Sequence, residues 1–304
     1  MRVFPFQPVG RVSRHCLLAL VAITWMGVYA YPADAQQWTY NTSLRYSTGT
    51  YIFSERTHTL AFTHGLGIRG DRYDLSFSIP LLYQSSPWIS YTPIGGVPSG
   101  GPQQDVVRQR RGRHASTEGQ SKQSGSRSRD TVILQDTVSY QDVGIGDPSV
   151  SASFALITSK DQRPSIRLTA SAKAPVADED SGFGTGAWDG ALGLRLTQRV
   201  ETWFLFADVA YWWLGDLDGL ELNDSIAYSA SIGRAFLDGQ LGALISVAGY
   251  EAEIIDNVEP PVQVGAGLSY FLDNGSYGIN TSFYVGISES VPGFSTSIGG
   301  FVRF

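Results

Sequence analysis

The sequence predicts an all-β fold, a transmembrane antiparallel β-barrel of about twelve strands. Apolar residues recur at every second position in one segment after another, which is the period of a strand with one apolar face. Short and long connections alternate between these segments, and the chain opens with the pattern of an export signal. No window carries a comparable helical stripe, so a helical fold is disfavoured.

The alternation is clearest in two segments, 262–272 and 277–287. In each, apolar side chains share one side of an extended chain, and Gly, Ser and other small polar residues share the opposite side. Ten further segments repeat the pattern and bring the total to about twelve. They are 38–48, 57–68, 72–84, 147–158, 165–176, 187–198, 202–213, 225–236, 241–250 and 293–304.

The connections between these segments are of two kinds. Tight turns are predicted at 69–71, 160–163, 199–201, 237–240 and 273–276. Longer connections are predicted at 85–142, 177–186, 214–224, 251–261 and 288–293. Outer-membrane barrels have short periplasmic turns and longer external loops. The alternation therefore predicts that the N- and C-termini of the barrel are periplasmic.

The first 35 residues predict export. Arg2, Arg11 and Arg14 precede a short apolar run, and the small-residue triplet Ala33-Asp34-Ala35 follows it, which is the pattern of a cleaved signal peptide. We therefore expect a signal peptide at 1–35 and one barrel domain at 36–304, in the outer membrane of a Gram-negative bacterium. Removing the signal takes three of the 22 basic and one of the 28 acidic residues and leaves a formal charge of −8.

The polar face of the alternating segments predicts a water-filled interior. In a membrane barrel the apolar face contacts lipid and the interior is polar, and charges on the small polar face would be poorly placed in a dry core. Aromatic residues also gather at the ends of the apolar faces, as interfacial girdles do. The candidate residues of the lumen and of a solute path are Arg45, Asp147, Arg167, Lys173, Asp189, Arg195 and Asp208.

Antiparallel pairing around 177–186 sets Lys173 at the height of Asp189 and Arg167 near Arg195. The level of the lumen that contains Arg167 and Arg195 is then expected to be doubly positive unless Asp208 or a solute carboxylate approaches it. This arrangement predicts a weak anion preference. Two uses of the lumen charges remain open at this point. They either create a transverse field that orients solutes or neutralise one another and brace the barrel.

The outward face carries two basic residues and an apolar C-terminal tail. His64 and Arg234 fall on the lipid side, where a basic residue at mid-depth costs about 2–4 kcal/mol, and both are expected toward the periplasmic ends. Ile298, Val302 and Phe304 share the apolar face of the last strand. That tail resembles the one by which outer-membrane barrels are assembled, so the predicted partners are outer-membrane lipids, the barrel-assembly machinery and a small-molecule solute.

One long connection contains a polar, basic segment. Residues 103–130 hold seven basic and three acidic residues among Gly, Ser and Gln, a composition that does not support a core, so a mobile external loop is expected. Export excludes nucleic acid as its partner. The alternatives are solvated disorder and folding toward the acidic loops 178–180 and 216–224 or toward lipid phosphates.

The sequence carries no catalytic or cofactor motif. Patterns of the GxSxG, HExxH and phosphate-loop kind are absent. The single H-x-S pattern, at His114 and Ser116, lies inside the basic segment without a rigid scaffold. No catalytic residue, metal or cofactor is therefore predicted, and a lipid-active enzyme is the remotest alternative.

The stretch 144–216 resembles a known family. Its segments "GIGDPSVSASFAL" and "PSIRLTASAKAPVADEDSGFGTGAWDGALGL" are similar to the outer-membrane family named for the meta-pathway of phenol degradation, although Pro175-Val176-Ala177 replaces the usual Pro-Thr-Gly. The resemblance implies a barrel for uptake of small, often aromatic or hydrophobic compounds. The matching residues are Gly144, Gly146, Asp147, Lys173, Pro175, Gly184, Gly186 and Asp189.

These observations predict a passive channel for a small molecule through a polar lumen. The alternative is a structural or surface-interaction barrel whose lumen is plugged. Conductance in planar bilayers distinguishes the two, because only an open lumen passes ions.

Overall fold

The structure, a computed structural model, describes residues 36–92, 95–104, 106–107, 141–158 and 163–304. The predicted signal peptide 1–35 and most of the basic segment 103–130 lie outside these ranges, as does the H-x-S pattern at 114–116. Among the described residues, no helix is long and apolar enough to cross a bilayer.

The described residues form fifteen strands, most of them long and alternating in exposure. Their bounds are β1 Gln37–Gly49, β2 Thr57–Arg69, β3 Tyr73–Gln84, β4 Ser90–Thr92, β5 Gly95–Val97, β6 Asp142–Ile145, β7 Ser149–Ile157, β8 Ser165–Lys173, β9 Asp189–Val200, β10 Trp203–Trp213, β11 Ser225–Phe236, β12 Leu241–Tyr250, β13 Val262–Leu272, β14 Tyr277–Gly286 and β15 Phe294–Arg303.

These strands close into an antiparallel barrel. β1 pairs with both β2 and β15, and β3 pairs with both β2 and β7, so the sheet closes on itself. Among the described strands of the wall, only the short β6 has a single neighbour, β3. β6 and β7 pair with successive parts of β3 and together serve as one wall strand, which gives the wall twelve strands. The predicted fold class is confirmed. β4 and β5 pair with each other in a separate hairpin.

The two ends of the barrel differ in their connections. We call one the short-turn end, because 70–72, 158–164, 201–202, 237–240 and 273–276 join strands there. The other is the long-loop end, with connections at 50–56, 85–141, 174–188, 214–224, 251–261 and 287–293. The first residue of β1 and the last of β15 both lie at the short-turn end, as the alternation of connection lengths predicts.

One wall strand is interrupted just before the predicted segment 147–158, which is observed as β7, and the preceding piece β6 was not predicted from the sequence. The ladder along β3 breaks at residues 146–148, between β6 and β7, and the Gly146 N–H donates to the Pro80 carbonyl at 2.8 Å. Pro80 and Pro148 both lack the N–H group that a regular ladder requires there. Asp147 consequently lies in the break. β8 also ends early, at Lys173, because the connection that follows turns inward.

The outer face of the wall is apolar along most strands. Large apolar side chains alternate with inward polar ones, and the outward ones reach exposures such as 62% for Ile245 and 53% for Ile279. Such an apolar band is typical of a lipid-facing barrel surface. Aromatic residues lie at its two edges: Trp38, Tyr40, Tyr73, Trp203 and Tyr277 toward the short-turn end, Tyr83, Tyr211 and Trp213 toward the long-loop end.

The two basic residues on the outer face both have aromatic partners. His64 Nδ1 lies 2.6 Å from the Tyr40 hydroxyl, and the Arg234 guanidinium lies 5.4 Å from the ring centre of Trp203. Hydrogen bonding and cation–π attraction both offset the cost of placing a polar group beside lipid. Arg234 pairs with the first residue of β10 and so lies near the short-turn end, whereas His64 lies further along β2.

The main apolar core sits in the long loops rather than in the barrel. We call it the loop core, a cluster of buried side chains from the 50–56, 85–141, 214–224 and 251–261 connections. Soluble proteins bury such side chains because transfer from water is favourable by about 25 cal/mol per Å². The members of the loop core are Ile52, Phe53, Trp88, Ile89, Val97, Val107, Leu214, Leu217, Leu220, Leu222, Tyr250, Ile254, Ile255 and Val258.

The barrel seam closes on its last residue. Trp38 and Phe304 exchange two backbone hydrogen bonds, each 2.9 Å long. The Phe304 side chain is 69% exposed and lies on the outward face with Ile298 and Val302. Its backbone therefore completes the β1–β15 ladder while its ring is available to lipid.

Replacing Phe304 with Ser is expected to lower the amount of folded barrel in outer-membrane fractions. The change removes a lipid-facing ring at the seam, where the barrel closes. Heat-modifiability on gels measures the folded fraction. Ile287→Ser removes a similar lipid-facing apolar side chain away from the seam and serves as the control. Equal yields of folded Phe304→Ser and Ile287→Ser barrel would show that the seam residue has no special role.

Candidate functional site in the barrel interior

The interior contains a series of adjacent cavities that we name by position. The upper chamber, of about 140 Å³, lies beneath the loop core at the long-loop end. The middle chamber measures about 310 Å³, the lower chamber about 500 Å³, and a side chamber beside Lys173 about 260 Å³. Each shares wall residues with its neighbour, so together they extend along the barrel interior.

The shared wall residues show where the chambers meet. Tyr250 and Gln263 line both the upper and the middle chamber. Arg195 and Asp208 line both the middle and the lower chamber. Trp212, which points inward from β10, lines the middle, lower and side chambers. Its indole therefore lies at the junction of these spaces.

A buried charge cluster lies beside the side chamber. The Lys173 ammonium is 3.1 Å from a carboxylate oxygen of Asp147 and 3.0 Å from one of Asp189, and its side chain is only 1% exposed. It also donates to the Thr185 hydroxyl at 2.5 Å. Burying a lone ammonium would be very costly, so these partners are what permit its position.

The same carboxylates hold the inward loops. Asp147 accepts hydrogen bonds from the backbone N–H groups of Val176 and Ala177, at 2.8 and 2.9 Å. Asp189 accepts one from the Gly215 N–H at 3.0 Å. The cluster thus links the wall to the 174–188 and 214–224 connections. The sequence left two uses of the lumen charges open, a transverse field and a structural brace. For Asp147, Lys173 and Asp189, the geometry supports the structural brace.

Two glycines of the family pattern allow this loop to pack inward. Phe183 is 3% exposed and packs on Leu82 and Ala61 inside the wall. A Cβ atom on Gly144 would lie 2.3 Å from the Phe183 ring, and one on Gly184 would lie 2.4 Å from a carboxylate oxygen of Asp147. Larger residues at these positions would displace the ring or the carboxylate.

The lower charges are also paired, which corrects one expectation. The register sets Arg167 opposite Arg195, as antiparallel pairing predicts. However, Arg167 contacts Asp74, and Arg195 lies 2.5 Å from Asp208. Because each arginine contacts a carboxylate, the level is not doubly positive, and the anion preference based on that expectation has no support. Asp208 is one of the two partners that the sequence analysis named, and Asp74 is shared between Arg167 and Arg69.

Arg45 differs from the other candidate cations. It lies on the inward side of β1 and lines the upper chamber with Ser47 and Thr59. Within the described ranges it makes no ion pair or hydrogen bond. Its side chain is exposed to the interior, so its positive charge faces the cavity without a direct ion pair, and the one carboxylate that lines the same cavity is that of Glu259.

Sequence reasoning missed the aromatic residues of the interior. Phe204 and Phe206 point inward from β10, and Phe271 and Phe301 lie 6.2 Å apart near the short-turn end. Their positions on the polar face of each alternation are the signal that could have identified them. The tyrosines of the upper chamber carry a weaker signal, because Tyr51 and Tyr91 lie in connections without a fixed period.

The long-loop end carries an acidic rim. Burial, and then the carboxylates of Asp218, Asp180 and Asp178, raise the pKa of Glu179 above its usual range. Both acidic loops toward which the basic segment 103–130 was expected to fold therefore meet at this rim. The described start of the basic segment contacts one of these loops, because the Gln104 Oε1 accepts a hydrogen bond from the Gly219 N–H at 2.7 Å and Val107 is buried in the loop core. Most of the segment's basic residues lie outside the described ranges.

Comparison with known families identifies the chain. The family model described as "Putative MetA-pathway of phenol degradation" matches residues 95–304, which is more than half of the sequence. The chain belongs to this family. The resemblance seen in 144–216 is thereby confirmed, and it extends through the barrel to the last strand. Comparison with curated proteins gives no match.

Solved structures of the same architecture are outer-membrane barrels. The COG4313 outer membrane channel from Pseudomonas putida F1 has a TM-score of 0.60 and 12% identity, over 90% of this chain and 100% of that one. The CymD monoaromatic hydrocarbon channel has a TM-score of 0.43 and 9% identity, over 89% of each chain. At these identities the first likeness shows the fold, and the second is too distant for any argument. The MetA-pathway family member described here is an outer-membrane β-barrel.

Replacing Lys173 with Met is expected to destabilise the barrel by about 3–5 kcal/mol, because two buried carboxylates lose their cation. The temperature at which the barrel becomes heat-denatured on gels should fall, and the 174–188 connection should become sensitive to protease. Arg195→Gln is the control. Its ion pair is half-exposed, so its loss should cost about 1 kcal/mol or less. Similar denaturation temperatures for the two variants would contradict the structural role of the buried cluster.

Proposed function

We propose that this protein is a passive channel through which small, aromatic or hydrophobic molecules cross the outer membrane. The observation that carries the proposal is the row of adjacent chambers inside a closed, lipid-facing wall. A barrel that only braced the membrane would have no need of this series of interior spaces. Membership in the phenol-degradation family supports a small aromatic solute.

The lining of the path suits a solute with an apolar body. Tyrosines surround the upper chamber, hydroxyl and charged side chains line the middle and lower chambers, and Phe301 lies at the lower exit. Aromatic faces bind apolar rings through burial and edge contacts worth about 0.5–1.5 kcal/mol beyond area. Weak contacts in series allow a solute to enter and to leave.

The orientation and partners belong to the same proposal. The short-turn end faces the periplasm, as short turns do in such barrels, so the loop core faces the outside. The outward apolar band contacts membrane lipids, and the tail of Ile298, Val302 and Phe304 is read by the assembly machinery. No enzymatic role is proposed.

One observation favours a second candidate function. The loop core fills the long-loop end with buried apolar side chains, as expected for a structural barrel with a plugged lumen. In the channel proposal, the same core is a gate that loosens or leaves a narrow path beside it. Conductance decides between them, because a permanently plugged barrel passes no current.

Replacing Trp212 with Ala is expected to raise single-channel conductance in planar bilayers, because the indole lies where the chambers meet. Trp213→Ala is a matched control, since the neighbouring Trp213 lies on the outward face of β10 and borders none of the chambers named here. A folded wild-type barrel without any conductance would support the plugged alternative. Equal conductance in the two variants would remove Trp212 from the conducting path.

A further inference from the structure

The upper chamber combines an apolar volume with polar groups that lack protein partners. Tyr51, Tyr91, Tyr250 and Tyr284 contribute to its wall, and Ile254 and Val258 of the loop core cover it. No described contact engages the hydroxyl of any of these four tyrosines. None of the four hydroxyls is among the buried polar atoms that lack a partner, so they reach open space and are available to hydrogen-bond to a molecule in the chamber.

The size of the chamber limits what it holds. A cavity of about 150 Å³ lined by apolar side chains accommodates benzene, and the upper chamber measures about 140 Å³. One six-membered ring therefore fits this space. Gly96 lines the chamber, and the absence of a side chain at this position leaves the space open. A Cβ atom there would lie 2.6 Å from Ile89 Cγ2 and 3.0 Å from the Tyr51 hydroxyl.

The charge that lines the chamber determines which substituent on a bound ring is favoured. Arg45 lines it without an ion pair, in contrast to Lys173, Arg167 and Arg195, which all contact carboxylates. Glu259 also lines the chamber but lies outside ion-pair distance of Arg45. A guanidinium presents a planar fork of donors that matches a carboxylate with two parallel hydrogen bonds.

Tyr51 adds a second donor of fixed position. Burial raises the pKa of its phenol above the ordinary value, so the hydroxyl stays protonated. Its backbone has φ of 50°, a left-handed conformation that costs free energy for a residue with a side chain and that clusters at ligand sites. The loop core holds this conformation, because Tyr51 packs against it.

We propose that the upper chamber is a binding site for a single-ring aromatic carboxylate. The ring lies among the tyrosines beneath the loop core, and the carboxylate faces Arg45 at the exposed side of the cavity, where water still reaches it. The Tyr51 hydroxyl donates to the ligand from the opposite loop. A neutral ring lacks the charge that Arg45 recognises, and a short aliphatic acid lacks the ring. This inference rests on the proposed channel function only in that the site lies on the path.

The test is equilibrium binding of benzoate to the full, detergent-solubilised barrel, with benzyl alcohol and acetate as comparison probes. Benzoate is expected to bind more tightly than either. Arg45→Gln should weaken benzoate binding by about 10- to 100-fold, the worth of charge-assisted hydrogen bonds, and should leave benzyl alcohol binding unchanged. Gly96→Val fills the chamber and should weaken benzoate and benzyl alcohol alike. Arg234→Gln, on the outer face, is the matched control.

Each outcome decides the matter separately from channel function. Benzoate binding that is equal in Arg45→Gln and in the unchanged barrel overturns the proposal, as does equal affinity for benzoate and acetate. Heat-modifiability confirms that each variant is folded before binding is measured. Conductance is recorded on the same preparations. A barrel that conducts without Arg45-dependent binding keeps the channel and loses this site, and one that binds benzoate without conducting keeps the site and loses the channel.

Discussion

The closed hydrogen-bond ladder is the constraint on which the rest of this structure depends. In lipid, an unpaired backbone group costs several kcal/mol, so a spanning sheet must leave no edge. Pairing of β1 with β15 meets this requirement, and Trp38 and Phe304 complete it. Closure also separates two environments, since alternate side chains then face lipid and an enclosed interior. Every other feature follows from that separation.

Because the interior is enclosed, most of the charges that line it occur in compensated groups. Lys173 lies between Asp147 and Asp189, and Arg195 faces Asp208. The buried cluster also fixes the inward loops, which ties the shape of the cavities to the wall. Arg45 and Arg303 line cavities without an ion pair among the described residues, but Arg303 donates to the Gly275 carbonyl and lies over the Phe301 ring, whereas Arg45 makes no hydrogen bond there. That contrast is why we infer a solute contact for Arg45 and a bracing role for the others.

The long loops supply what the wall lacks, an apolar core in the ordinary sense. Their buried side chains form a lid over the upper chamber, and some of them also line it. The same packing therefore closes the mouth and shapes a ring-sized space. A gate and a binding site are thus parts of one structure, and movement of the lid would change both.

The sequence alone determined the wall of this protein. A period of two, repeated with alternating connection lengths, fixes strand number, facing and fold, because pleat geometry leaves no other way to sort such a pattern. It also located Lys173 opposite Asp189, since register around one connection is local arithmetic. Only the tertiary structure decided that Asp74 on β3 contacts Arg167 on β8, past the intervening β7. It also decided that Tyr51 and Tyr250 line one cavity. Such contacts depend on how irregular loops fold back into the barrel, and irregular loops carry no period from which their paths can be read.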